Sequence, residues 1–260
     1  MREHIPQQVR KALSPLRRGG TRLVRRGIRV ASRHVGVVAD YEYLFVLTYG
    51  RSGSTLLAGL LNSIPGYRVR GENYSALYRI YQADAAIAKA RESFSGADHL
   101  SPLSPWYGTP RVRENRFRAG LLNNFVSNVL RPEPGDRVLG FKEIRYTPVH
   151  IPDLAEYVAW LRRSFPDPRI VINHRDPAAV ARSGWWPDKR NAEKTIRAAD
   201  ERLWNIPADD RHHHFSYDDI DDGLANVRAL FDFLGEPMDE ATVREVLGTK
   251  HSAYPATDGR

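Results

Sequence analysis

The chain has 260 residues, 42% of them hydrophobic and 27% charged; it is long and apolar enough for one substantial core and too mixed in character for a disordered polymer. It contains no cysteine, which excludes a disulfide framework, a thiol nucleophile and thiolate metal sites, and no apolar run approaches the roughly 20 residues of a membrane-spanning helix. The formal charge of +8 is unevenly spread: residues 1–34 carry ten basic side chains against one acidic, whereas the remaining 226 carry 29 basic and 30 acidic.

Residues 1–36 read as a basic N-terminal arm, flexible or amphipathic, broken by Pro6, Pro15 and Gly19–Gly20. From Thr21 to His34, Leu23, Val24, Ile28 and Ala31 fall near one helical face, with Arg22, Arg25, Arg26, Arg29 and Arg33 around the rest. Such a face suits peripheral contact with an anionic membrane through residues 1–34, at about 1 kcal/mol per basic residue near the surface. Docking on an acidic polymer, an organelle leader and a mobile tail are the other readings. The expected location is cytoplasmic, with peripheral membrane contact.

Residues 37–260 read as one domain. Tyr43–Gly50 is an apolar, β-rich run ending at glycine, and the helical pattern STLLAGLLNSI follows at once. YRVRGEN predicts a second strand, residues 75–93 a helix, Ser95–Pro110 a loop, and Arg116–Leu130 a helix. DRVLGFKEIRY predicts a third strand and Ala155–Phe165 a helix. RIVINHRD predicts a fourth strand, with Pro177 suited to the first turn of the helix after it. Lys189–Trp204 predicts a helix, HHFSYDDI a last strand, and residues 223–235 and 239–248 two terminal helices. Alternating strands and helices predict an α/β three-layer sandwich with a mostly parallel central sheet and a P-loop-like strand–loop–helix. Ligands bind such sheets beyond the carboxyl ends of the strands, which directs attention to Gly50, Gly71, Lys142 and Arg175.

The segment TYGRSGSTLL (Thr48–Leu57) joins strand to helix. Successive N–H groups in such a turn, with the helix dipole behind them, bind an anion. Gly50 and Gly53 allow close backbone approach. Ser54 and Thr55 add hydroxyls, and Arg51 can fork onto phosphate or sulfate oxygens. The lysine that follows the second glycine in a nucleoside-triphosphatase loop is missing.

This loop resembles the 5′-phosphosulfate loop of the sulfotransferases that use 3′-phosphoadenosine 5′-phosphosulfate (PAPS), in the form found in carbohydrate and bacterial branches. A second segment, HRDPAAVARSGW (His174–Trp185), resembles the family's 3′-phosphate signature, with Arg175 and Ser183 eight residues apart. FSYDDI resembles the family's segment whose tyrosine lies by the adenine, here Tyr217. TKHS (Thr249–Ser252) falls where the family has a late basic loop, making Lys250 and His251 candidate nucleotide contacts. The resemblance covers roughly residues 43–255.

It implies sulfuryl transfer from PAPS to an acceptor hydroxyl, that of a carbohydrate or glycoconjugate, releasing 3′,5′-adenosine bisphosphate without a metal. Arg51, Ser52, Gly53, Ser54, Thr55 and Leu56 would hold the 5′-phosphosulfate, with Arg175, Ser183, Tyr217 and Lys250 on the nucleotide. Glu72 is the candidate base, with Glu143 and His174 as rivals. Arg51 and Lys142 are candidates for stabilising the transferring group. Trp106 and Tyr107 are candidates for stacking on a small-molecule or glycan acceptor. His212, His213 and His214 do not suggest a metal site, since neighbours on a strand point to opposite faces. The near-neutral body argues against specific nucleic-acid binding. An atypical P-loop nucleotide kinase and a non-catalytic anion- or nucleotide-binding module are the alternatives.

Overall fold

The computed structural model describes residues 36–249. Five strands form one sheet in the order β2-β3-β1-β4-β5: β1 (Glu42–Leu47), β2 (Tyr67–Arg70), β3 (Val138–Glu143), β4 (Arg169–His174) and β5 (His212–Ser216). Every strand pair is parallel. An isolated antiparallel bridge between Tyr49 and Arg145 adds to the sheet beyond the ends of β1 and β3. All carboxyl ends therefore lie along one edge, and the expected three-layer α/β architecture holds.

β1 sits in the middle and is buried on both faces, as a central parallel strand must be. Tyr43, Phe45 and Leu47 join one core cluster, and Leu44 and Val46 join the other. The second face is covered by α1 (Ser54–Asn62), α7 (Ala225–Leu234) and α8 (Glu240–Gly248). The first face is covered by α2 (Ala76–Ser93), α3 (Glu114–Phe125, whose last turn widens to a π-helix over Val126–Leu130), α4 (Leu154–Ser164) and α6 (Ala192–Trp204). The short α5 (Pro177–Ala181) follows β4. The helices after β1 and β4 thus leave on opposite faces. Their divergence makes the edge between these two strands the switch point, the position where such sheets bind ligands.

Several predicted boundaries shift. β1 ends at Leu47, three residues before Gly50, because the chain must turn early to feed α1. The last strand is His212–Ser216 and stops before Tyr217. The helix expected from Lys189 starts at Ala192, after Asn191 in a left-handed conformation. Residues 1–34, Lys250 and His251 lie outside the described residues.

Candidate active site

The loop between β1 and α1 is held from behind by buried polar groups. Thr48 Oγ1 lies 2.7 Å from Ser52 Oγ and donates to the Asn173 carbonyl at 2.7 Å, while Asn173 Nδ2 donates to the Ser52 carbonyl at 2.9 Å. All three residues are fully buried. These bonds fix the loop to the end of β4. Arg51 has φ 69°, a left-handed conformation unusual for a non-glycine residue. Gly53 has φ 81° and begins α1. Among the described residues, the N–H groups of Gly53, Ser54 and Thr55 have no hydrogen-bond partner. They are the free donors that an α-helix leaves at its start.

The second segment closes on this loop. Asp176 caps α5 by accepting from the N–H groups of Ala178 and Ala179, a contribution of about 1 kcal/mol. Arg51 Nε donates to Ser183 Oγ at 3.2 Å, and Arg175 Nη1 donates to the Arg51 carbonyl at 3.0 Å. The two motifs, over 120 residues apart in sequence, are therefore in direct contact. Arg175 Nε is buried without a hydrogen-bond partner; its nearest carboxylate is Asp218, 3.8 Å away. The Arg175 guanidinium lies 4.6 Å over the Tyr217 ring, and that ring packs so closely on Gly53 that a Cβ there would come within 2.0 Å of it. Trp186 Nε1 donates to the Gly50 carbonyl at 3.0 Å, and Trp185 lies so near Gly50 that a Cβ there would come within 2.5 Å of it. Trp185 and Trp186 thus both brace the loop.

On the other side of β1, Lys142 pairs in register with Val46 and shares its face of the sheet. Its ammonium lies 2.6 Å from Glu72, which sits in the loop after β2. Lys142 is nearly buried, and Glu72 is exposed enough to meet a substrate. Glu143 points to the opposite face. It is buried and accepts hydrogen bonds from the N–H groups of Asn73 and Ser75, at 3.3 and 2.8 Å. It is therefore committed to holding the loop that carries Glu72. His174, the other rival base, is also enclosed, between Asp200 and His214.

A model of the sulfotransferase family matches residues 44–240. This chain belongs to the sulfotransferase family. Similar solved structures include the sulfotransferase domain of the Synechococcus PCC 7002 olefin synthase, 18% identical over 81% of this chain and 78% of that one, with a TM-score of 0.48. The sulfotransferase domain from the curacin biosynthetic pathway is 12% identical over 83% and 81%, with a TM-score of 0.44. Sulfotransferase STF9 from Mycobacterium avium is 16% identical over 80% and 67%, with a TM-score of 0.41. No curated protein matches.

In this sulfotransferase, one pair of expected site residues stands apart. The Trp106 ring stacks on Phe94 with 3.9 Å between centroids, just past the C-terminal end of α2. Arg91, in the last turn of α2, donates to the Val112 carbonyl, so the whole segment is folded against that end. Glu72 lies beside the other end, and 18 residues of α-helix span about 27 Å. Trp106 and Tyr107 are therefore not brought to Glu72 and Lys142. Strand alternation turns His213 away from its neighbours to stack on Phe233, while His212 faces Asp209 and His214 meets His174. Among the described residues, no helix is long and apolar enough to cross a membrane.

The sequence reading did not single out Asn173 or Thr48. Asn173 gave a usable signal, as a polar residue inside the apolar run RIVINH. Thr48 reads as an ordinary strand residue until its partners are known.

Proposed function

We propose that the protein is a PAPS-dependent O-sulfotransferase whose base is Glu72, acting on the hydroxyl of a carbohydrate or other small-molecule acceptor. The observation that carries this reading is the contact of the two motifs through Arg51, Ser183 and Arg175. The donor supplies the sulfuryl group and a phosphate leaving group. The free amides of Gly53, Ser54 and Thr55, with Arg51, suit the 5′ end of such a nucleotide. Arg175, whose buried Nε makes no hydrogen bond, and Ser183 suit its 3′-phosphate. Tyr217 backs the loop and contributes to the nucleotide side.

Catalysis then rests on alignment and on stabilising charge as it develops on the departing phosphate. The loop amides and Arg51 stabilise that charge without reorganising. Glu72 accepts the proton of the acceptor hydroxyl as its oxygen bonds to sulfur. Lys142, 2.6 Å from Glu72, orients the carboxylate and adds positive charge beside the transferring group. Glu143 holds the Glu72 loop. Residues 1–34 would supply peripheral contact with an anionic surface.

Thermal-shift titration without metal tests the reading. Stabilisation by 3′,5′-adenosine bisphosphate, exceeding that by ADP or ATP, is expected. A preference for ATP would point to a kinase instead. Bisphosphate binding without any sulfate transfer across an acceptor panel would point to a non-catalytic module.

A further inference from the structure

The turn that carries Arg175 rests on a chain of ring nitrogens that the proposed reaction does not use. His174 Nδ1 lies 2.6 Å from Asp200 Oδ1. His174 Nε2 lies 2.8 Å from His214 Nδ1, and His214 Nε2 lies 2.7 Å from the Ile206 carbonyl. His174 is 3% exposed.

The protons in this chain can be counted. The Ile206 carbonyl only accepts, so His214 Nε2 carries a hydrogen. An Asp200 carboxylate only accepts, so His174 Nδ1 carries one too. The two facing nitrogens need one hydrogen between them, since two lone pairs at that distance repel. Three hydrogens on four nitrogens is one more than two neutral imidazoles hold. The charge belongs on His174, which faces the Asp200 carboxylate at 2.6 Å, while both rings stack on Trp204. His214 is the neutral partner: burial lowers its pKa, and His174 and His212 lower it further.

This unit is linked to Arg175. Asp200 Oδ1 also lies 2.9 Å from the Tyr49 hydroxyl. That hydroxyl lies 2.7 Å from the Arg175 carbonyl and accepts from the Arg175 N–H at 3.0 Å. Burial pushes the Tyr49 pKa far above its usual range, so the phenol keeps its proton. Other charged or titratable groups acting on the unit include His212 on β5, and Asp218 and Arg175 at the adjoining turns.

We propose that Asp200, His174 and His214 form a positioning unit for Arg175, holding one proton beyond two neutral rings, and that loss of this proton loosens the grip of Arg175 on a nucleotide 3′-phosphate. The second half rests on the donor assignment proposed above. Asp200→Asn offers a neutral replacement. Its amide can donate to His174 Nδ1, after which His174 Nε2–H donates to His214 and both rings are neutral with every bond kept.

Nitrogen-15 NMR of the full chain, with His174 and His214 assigned, reads the proton count. Three imidazole N–H groups on the pair at neutral pH are expected, and two in Asp200→Asn. Two in the unaltered protein would overturn the inference. Calorimetry with 3′,5′-adenosine bisphosphate should then show affinity weakening about tenfold as the NMR-monitored proton is lost. Affinity for 5′-AMP should stay level, as should bisphosphate affinity in Asp200→Asn. The same pH dependence in both proteins would refute the link to Arg175. Tight bisphosphate binding with only two N–H groups defeats this inference alone. Three N–H groups with no bisphosphate binding at any pH defeats the donor assignment, and the role of Arg175 with it.

Discussion

Replacing Gly53 with alanine probes the joint between the two nucleotide segments. The new methyl would lie 2.0 Å from Tyr217 Cδ2 and 2.6 Å from Cγ and Cε2, well inside contact distance. Gly53 also has φ 81°, which costs a residue with a Cβ about 1–2 kcal/mol. Forcing the ring or the loop aside adds about 1–3 kcal/mol of overpacking. Together these predict a loss of about 2–5 kcal/mol, at roughly 2–4 °C of melting temperature per kcal/mol for a domain of this size. The Tyr217 ring also lies beneath the Arg175 guanidinium, so the shift should weaken bisphosphate binding as well. Thermal denaturation followed by circular dichroism, with and without bisphosphate, measures both effects. Gly53→Ala combined with Tyr217→Ala should recover the overpacking part, giving a coupling of about 1–3 kcal/mol, while the dihedral cost remains. A single variant that melts with the unaltered protein, or a double variant that recovers nothing, would refute the reasoning.

Arg175→Ala should weaken 3′,5′-adenosine bisphosphate by about 10–100-fold, the worth of a hydrogen bond to a charged group, and leave 5′-AMP nearly unchanged by calorimetry. Equal loss for both would mean that the 3′-phosphate is read elsewhere. Glu72→Gln should keep bisphosphate affinity and lose about 10²–10⁴ in sulfate-transfer rate, measured by radiolabelled sulfate transfer; full activity would remove Glu72 as the base. Asp153 accepts from the Tyr78 and Tyr81 hydroxyls at 2.5 and 2.8 Å. Burial opposes its charge, but these two bonds, with its own backbone N–H and the Arg202 charge, outweigh burial and hold its carboxyl below the ordinary 3.8. Its stabilising contribution is thus complete above that value and is lost as pH falls through the lower folded-state one. Urea denaturation across acidic pH should show Asp153→Asn less stable at neutral pH but with a shallower acid decline. An unchanged decline would count against the Asp153 contribution.

The layered architecture was legible because its signals are local. The apolar run around Phe45 and the glycine-bearing turn to Ser54 announce a buried strand feeding a helix, and Asp176–Pro177 announces a helix start. The two segments that meet through Arg51, Ser183 and Arg175 stood out as motifs because free amides and arginines at a strand–helix turn suit phosphate and sulfate oxygens. The partnerships were not legible. Nothing in the composition of GFKEIRY says that Lys142 meets Glu72 while Glu143 turns to the amides of Asn73 and Ser75; only β3's place between β2 and β1 decides that. The separation of Trp106 from Glu72 has a similar origin. An exposed aromatic in a loop fits an acceptor platform, and only the direction of α2 shows that it lies at the far end of that helix. The His174–His214 contact depends on the pairing of β4 with β5, a long-range register that side-chain identities do not encode by themselves.

A crystal structure of the protein with 3′,5′-adenosine bisphosphate tests the central claim most directly. The account predicts the 5′-phosphate on the amides of Gly53, Ser54 and Thr55 and the 3′-phosphate between Arg175 and Ser183, with Glu72 facing open space beyond the 5′ end. Nucleotide bound away from either segment, or turned so that Arg175 meets the 5′ end, would contradict it.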